Sequence, residues 1–236
     1  MSRKRCVLAL IVLLGHSACL STAWAGQVLV SNLLPDGVVS GNGFSPSVID
    51  ATDFWAQEFT SGASVNLGSI QASLGQFNGG TNSDFSLAAQ LIQVANASDG
   101  PDMGSVVAAL SQVGSISTTG FSNVEFDPTG TISLDASKFY WFVLTGSSSD
   151  STGGVSWQVA NTPDTSGPGS LPAYGLLSPG SPPWSVHPID PSDASTFPFL
   201  IGVTGQGSAV PEPASLILAC IGFSGALFAR RWMKSR

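Results

Sequence analysis

Few residues of this 236-residue chain carry side chains able to do chemistry on another molecule. Between Gly26 and Ala209 there is one histidine (His187), one lysine (Lys138), no arginine and no cysteine. Ser-His-Asp catalysis would have to use His187, which sits in Pro182-Pro183-Trp184-Ser185-Val186-His187-Pro188. No Gly-x-Ser-x-Gly elbow accompanies it, so His187 reads as a solvent-facing loop residue. The pairs Asp50/Asp53, Asp99/Asp102 and Asp190/Asp193 have the composition for glycoside hydrolysis, which needs two carboxyls roughly 5 to 10 Å apart. Each pair lies in a turn-like stretch, where aspartate bonds its own backbone, and the turn reading is preferred. No catalytic residue is assigned, and the expectation is a protein that is not an enzyme.

Two binding chemistries remain. Asn78-Gly79-Gly80-Thr81-Asn82-Ser83-Asp84 offers Asn78, Asn82 and Asp84 as oxygen ligands for calcium in a glycine-containing loop. The spacing is not that of an EF-hand, and hairpin-turn chemistry accounts for the same residues. No other cofactor is expected. Trp184 stands in a Pro-rich stretch with no strand to explain it, and it is the candidate carbohydrate contact, its ring stacking on a sugar face. The other large rings (Trp55, Phe59, Phe139, Tyr140, Trp141, Phe142 and Trp157) fall on predicted strands, where such residues fill cores. Phe139-Tyr140-Trp141-Phe142 puts rings on both faces, so one pair must look away from the core or lie under a loop.

The elements that would position these residues are strands. Apolar runs alternate with clusters of Gly, Ser, Asn, Asp and Pro at Gln27–Asn32, Phe54–Thr60, Asn66–Phe77, Phe85–Ala95, Val106–Ser117, Asn123–Phe126, Thr131–Leu134, Phe139–Thr145, Val155–Val159 and Phe197–Thr204. Ala88–Val94 and Val106–Leu110 are alanine-rich but are taken as strands. Thr162–Pro191 is dense in Pro, Gly and Ser and reads as a long surface loop or an edge ornament. The pattern predicts an all-β domain over residues 26–209, a β-sandwich of jelly-roll type.

That domain is strongly acidic. It holds Lys138 against 14 carboxylates, a formal charge of −13. Nucleic acid and anionic membrane surfaces are poor partners for such a domain, because binding them requires basic side chains, which leaves divalent cations and neutral or cationic polymers. Cys6, Cys19 and Cys220 all fall outside it, so no disulfide supports the domain and no cysteine can ligate zinc or act as a nucleophile. At 184 residues it is long enough to bury a core unaided.

Both ends carry targeting features. Arg3, Lys4 and Arg5 precede an apolar stretch from Cys6 to Leu14, and Ala23-Trp24-Ala25 fits a small-x-small cleavage site. This predicts a signal peptide over residues 1–25, cut after Ala25 so that Gly26 leads the mature chain. The Sec export machinery and a signal peptidase are the implied partners. At the other end, Val210 and the triplet Pro211-Glu212-Pro213 abut an uncharged run from Ala214 to Ala229. The prolines keep the triplet out of the helix predicted behind it. That helix, over residues 214–229, suits a transmembrane segment, although at about 1.5 Å per residue it reaches only about 24 Å. Arg230, Arg231, Lys234 and Arg236 would hold its end on the cytoplasmic side.

This three-part tail, residues 210–236, resembles the PEP-CTERM sorting signal, on the strength of Val210-Pro211-Glu212-Pro213, Ala214-Ser215, the short apolar run and Arg230-Arg231. The resemblance implies recognition by an exosortase, an integral-membrane cysteine protease, and removal of the tail during sorting to the cell surface. A second resemblance covers most of Gln27–Thr204. The segments Val28-Leu29-Val30-Ser31-Asn32-Leu33, Trp55-Ala56-Gln57-Glu58-Phe59-Thr60-Ser61-Gly62 and Leu67-Gly68-Ser69-Ile70-Gln71-Ala72-Ser73-Leu74 are similar to the opening of choice-of-anchor R domains. Leu134-Asp135-Ala136-Ser137-Lys138-Phe139-Tyr140-Trp141 is similar to their later leucine-turn-aromatic unit. It implies a surface domain without assigned catalysis that precedes an anchoring tail. The expected protein is exported, held at the inner membrane by its C-terminal helix before processing, and then structural at the cell surface or in an exopolysaccharide matrix. A carbohydrate-binding module acting on exopolysaccharide is the alternative, and a glycoside-active enzyme the third.

Overall fold

The computed structural model describes residues 26–34, 47–49, 54–77, 87–97, 99–146, 154–162, 164–177, 184–190, 192–193 and 197–206. All of them lie in one compact unit, Gly26–Gln206. The described residues contain no helix. Their strands are β1 (Gln27–Ser31), β2 (Ser47–Ile49), β3 (Phe54–Thr60), β4 (Val65–Phe77), β5 (Leu87–Val94), β6 (Val106–Val113) and β7 (Ser122–Pro128), followed by β8 (Ser133–Leu134), β9 (Phe139–Gly146), β10 (Gly154–Trp157), β11 (Ala173–Leu177), β12 (Ser185–Pro188) and β13 (Ile201–Gly205). The all-β expectation therefore holds for the described residues. The alanine-rich β5 and β6 are strands because each finds partners on both sides, which outweighs a weak helical propensity.

Every pairing between these strands is antiparallel. The order along the sheet is β1-β13-β4-β7-β6-β5-β9-β3-β11-β12, with β10 joining β4 to β2 and β8 added to β4. The sheet curls so that one face encloses a core. Leu29 from β1, Phe59 from β3, Ile70 from β4, Phe126 from β7, Phe142 from β9 and Trp157 from β10 belong to one buried cluster, although several of these strands are far apart in sheet order. Rings are stacked through it: Trp157 lies flat on Phe199 at 4.7 Å, and Phe142 meets both Trp157 and Phe126 edge-on.

The curl is closed by a segment that the sequence assigns to a loop. Ser166 exchanges backbone hydrogen bonds with Ser31 in β1, at 2.9 and 2.7 Å, and Gly169 N–H donates to Leu29 O at 2.8 Å. One residue further on, Ser170 O accepts from Thr60 N–H of β3 at 2.9 Å, and the Thr60 hydroxyl oxygen accepts from Ser170 N–H. Residues 166–170 thus bridge the free side of β1 to the end of β3. Glycine is required at two of these positions: Gly167 has φ +93°, and a methyl group on Gly169 would run into Thr60 O. Of the two readings of Thr162–Pro191 the edge ornament is the nearer, since the stretch supplies this bridge and also β11 and β12, which end the sheet order. β11 pairs with β3 through Tyr174↔Gln57 and Leu177↔Phe54, which gives two short, weakly biased strands a template.

A β-bulge sets the inward face of β4. Val203 pairs with Ile70 and Gly205 with Leu67, so two residues of β13 advance while three of β4 do. The extra residue changes parity, and Leu67, Ile70, Ala72 and Leu74 all become fully buried in the core cluster.

Candidate functional site

The expected sorting residues Val210, Pro211, Glu212, Pro213, Arg230 and Arg231, with the expected helix 214–229, lie outside the described residues. So do Ala23 and Ala25 of the signal cleavage site, the candidate calcium ligands Asn78, Asn82 and Asp84, and the pair Asp50/Asp53. Among the described residues no helix is long and apolar enough to cross a membrane, and no group of three or more His, Cys, Asp or Glu residues is placed to hold a metal. Gly26, the expected first mature residue, leads directly into β1, and Gln27 pairs with Gly205 at the end of β13. Both ends of the strand domain therefore leave from the same edge of the sheet.

The remaining carboxylate pairs are turn residues. Asp102 accepts from Gly104 N–H at 2.9 Å and from the Ser105 hydroxyl at 2.8 Å, and these two bonds hold its carboxyl below the usual carboxylate range. Asp190 takes the Ser192 hydroxyl at 2.7 Å and Ser192 N–H at 2.8 Å, with the same effect. Asp99 accepts from Asn96 N–H and from its side-chain amide. Asp135, between β8 and β9, is lowered by Ser137 N–H and then by the Ser137 hydroxyl. Each of these carboxylates bonds within its own turn, the Asx chemistry its sequence setting calls for.

His187 is not a loop residue. It lies in β12, half-buried, with its ring stacked on Tyr174 across the β11–β12 pair at 4.9 Å and 15° between planes. Tyr174 meets Phe199 edge-on, so this pair continues the ring stack of the core outward along β11 and β12. Burial, and then Asp193, push the Tyr174 hydroxyl above its ordinary range.

Trp184 sits on the other face of the sheet. Tyr140 and Phe142 of β9 point into the core, while Trp141 and Val143 point outward and join Ala56, Ile92, Val94 and Ala173 in a second buried cluster. That outward face is covered as the alternation requires. Trp141 Nε1 donates to Asp99 O at 2.7 Å, which ties it to the β5–β6 loop. Trp184 is half-buried and packs edge-on to Phe54 at 6.4 Å. A methyl group on Gly175 would lie 3.2 Å from the Trp184 ring and 3.3 Å from that of Trp141, and one on Gly100 would lie 3.3 Å from Trp184 Cβ. The indole is thus seated over Gly175, beside Phe54 and the β5–β6 loop.

One polar residue at the centre of the fold is absent from the sequence-derived candidates. Gln57 is fully buried between Trp55 and Phe59 on the inward face of β3. Its Nε2 donates to Ala173 O at 2.9 Å and to Glu58 O at 3.0 Å, and its Oε1 accepts from Phe199 N–H at 2.8 Å. The amide joins β3, β11 and the segment entering β13 in a place from which water is excluded. A signal for it exists in the chain: strict alternation puts Trp55, Gln57 and Phe59 on one face. Ser73 and Gln158 make a similar tie, the Ser73 hydroxyl donating to Gln158 Oε1 at 2.9 Å while Leu200 N–H donates to Gln158 O at 2.8 Å.

Residues 209–231 match the PEP-CTERM protein-sorting motif. A comparison with curated proteins finds no match to the chain.

Proposed function

We propose that this chain is an exported surface protein that an exosortase sorts through its C-terminal tail, and that its strand domain has a structural, non-catalytic role in the envelope or in an exopolysaccharide matrix. The observation that carries the reading is the motif match over residues 209–231, with Pro211-Glu212-Pro213 directly before an uncharged run and Arg230-Arg231 directly after it. Under this reading the signal peptide brings the chain to the Sec machinery and is cut after Ala25. The helix over residues 214–229 then holds the domain at the inner membrane until the tail is processed at or near the triplet. The resemblance of Gln27–Thr204 to choice-of-anchor R domains supports the same division of labour, a domain that stays and a tail that is exchanged. The curled sheet is in this view a jelly-roll type sandwich. The turn-bound carboxylates Asp99, Asp102 and Asp190 support a non-catalytic role, since a general acid or base needs its oxygens turned toward a substrate.

Changing Pro211, Glu212 and Pro213 to alanine tests this in a host that has an exosortase. The expected outcome is full-length protein retained in the membrane fraction, read by immunoblot and intact mass. A triple variant processed and localised like the wild type would make the tail an ordinary membrane anchor.

A further inference from the structure

β1 completes the fold as a separable piece. Under the proposed cleavage after Ala25 it is the leading element of the domain, joined to the rest of the chain at one end only. Both of its long sides are bonded. β13 pairs with it from Gln27 to Ser31, and on the other side Ser166 exchanges backbone bonds with Ser31 while Gly169 N–H donates to Leu29 O. Leu29 and Val30 are fully buried in the core cluster. Withdrawing the strand would open a slot with an unpaired edge of β13 on one side, the amides of Ser166 and Gly169 on the other, and two aliphatic side chains missing from its floor. Such a slot is costly to leave empty.

The slot is keyed to one sequence. Just past the strand, Asn32 Oδ1 accepts from Ile201 N–H at 2.7 Å and Asn32 Nδ2 donates to Phe199 O at 3.0 Å. A methyl group on Gly202 would come within 2.6 Å of Leu33 Cδ1, and one on Gly205 would lie 3.3 Å from Leu29 Cδ2, so these glycines make room for the seated side chains. Leu34 O then accepts from Asn123 Nδ2 at 3.0 Å, which ends the seated segment on β7. Twelve residues, 35–46, separate Leu34 from β2. The thirteen Cα steps across them, at about 3.3–3.6 Å each, reach up to about 45 Å, against a radius of gyration of about 16 Å for a domain of this size. A link of that length lets Gly26–Leu34 seat in its own domain or in a neighbouring one.

We propose that β1 is an exchangeable strand: Gly26–Leu34 of one molecule fills the slot of another, and the partner is a second copy of this chain. Every contact of the native seat recurs in the exchanged one, so exchange is opposed by association entropy and by charge rather than by lost packing. A formal charge of −13 on each domain makes ionic screening a requirement. The sorting reading supplies concentration, because tails held in one membrane bring neighbouring slots within reach. The slot itself is a property of the strand domain.

The experiment uses full-length chains with Cys6, Cys19 and Cys220 changed to alanine, carrying either Ser31→Cys or Ser166→Cys, the two co-expressed in an exporting host. Ser31 and Ser166 form a hydrogen-bonded antiparallel pair, whose Cα atoms stand about 5.5 Å apart, within disulfide reach. Oxidation of the isolated membranes, or a short thiol cross-linker, should give a species of twice the chain mass in which peptide mapping finds residue 31 joined to residue 166. Its yield should rise at least about threefold between about 0.01 and 0.15 M ionic strength, as the screening length falls from about 30 to about 8 Å. A chain carrying both cysteines that bridges only within itself, while the co-expressed single-cysteine chains stay separate, would overturn the inference. A second measurement needs no cysteine: a labelled Gly26–Leu34 peptide at about millimolar concentration, the level needed to compete with a tethered strand, should be taken up by the full chain. The same peptide with Asn32→Ala should be taken up at least about fivefold less. Equal uptake of the two would overturn the inference as well, since the peptide would be adhering and not seated. The Pro211, Glu212 and Pro213 to alanine variant keeps the two readings apart. Retained in the membrane with no bond between residues 31 and 166, it leaves sorting standing and exchange refuted; processed like the wild type and still bonded, it does the reverse.

Discussion

Replacing Gln57 by leucine tests whether the centre of this fold is held by one amide. The substitution keeps most of the volume and removes all three side-chain hydrogen bonds, to Ala173 O, Glu58 O and Phe199 N–H. Phe199 N–H matters most, since a backbone donor has one hydrogen to place and Phe199 is 2 % exposed. Ala173 O loses its amide partner in a residue with no exposure at all. Two buried groups left without these partners cost about 1–3 kcal/mol each, or about 2–6 kcal/mol together. Burying leucine in place of the amide returns about 1–2 kcal/mol, leaving a net loss of about 1–4 kcal/mol. That is a large part of the 5–15 kcal/mol or so that a domain has. With a urea dependence of about 2 kcal/mol per molar, the midpoint should move down by about 0.5–2 M.

The measurement is urea unfolding of the domain over residues 26–209, followed by tryptophan fluorescence, with Trp55 and Trp157 both beside Phe199 as reporters. Gln57→Glu is the companion variant. It keeps an acceptor for Phe199 N–H but gives up both donors and buries an acid. Burial raises the folded-state value of that acid above the unfolded one, so the added destabilisation should be fully present near pH 7 and shrink as the pH falls into the carboxylate range. A leucine variant whose midpoint stays within about 0.3 M of the wild type would show that the seam between β3, β11 and Phe199 is held by packing alone.

Two further outcomes are expected. Trp184→Ala removes the edge contact with Phe54 and uncovers Gly175; for a half-buried indole this should lower stability by about 2 kcal/mol in thermal unfolding, and a parallel loss of binding on a polysaccharide panel would favour the carbohydrate-module alternative over a structural role. Asp135, held below the ordinary range by Ser137, adds stability that is present above about pH 4 and disappears as the pH drops through its lowered folded value, so Asp135→Asn should flatten the acid side of a plot of thermal midpoint against pH, and an unchanged acid limb would refute the assignment.

The strands were legible where each carried its own alternation. Phe54–Thr60 has the bounds the sequence predicts, and β4, β5, β9 and β13 fall inside or within a residue or so of their predicted runs. What the chain does not announce is structure imposed by neighbours. Ala173–Leu177 and Ser185–Pro188 are too short and too close to proline and glycine to predict themselves; they form because β3 offers a free edge and β11 then offers another. Gly167 and Gly169 look like loop filler, yet their lack of a Cβ is what lets residues 166–170 approach Leu29 O and Thr60 O closely enough to bridge β1 and β3. The bulge opposite Val203–Gly205 is hidden for a similar reason, since the parity change in β4 becomes visible only against β13. The sorting motif matched over residues 209–231 was readable because it is a linear pattern. Its prolines, its uncharged run and its arginines need no tertiary partner to be recognised.

The charge of the strand domain connects these levels. Fourteen carboxylates against one lysine invite a reading as a cation site or an acid–base pair, and both require several oxygens to converge on one point. Four of the described aspartates do the reverse. Asp99, Asp102, Asp135 and Asp190 each turn their oxygens back onto amides or hydroxyls two or three residues away, so the charge is spread over separate turns. Asp127 shows the cost of crowding: burial, and then Glu125, push its carboxyl above the usual range. A surface built this way repels its own copies and anionic polymers, and its aspartates shape the connections between strands. That arrangement supports the proposed division of labour, in which the sorting motif matched over residues 209–231 carries the address.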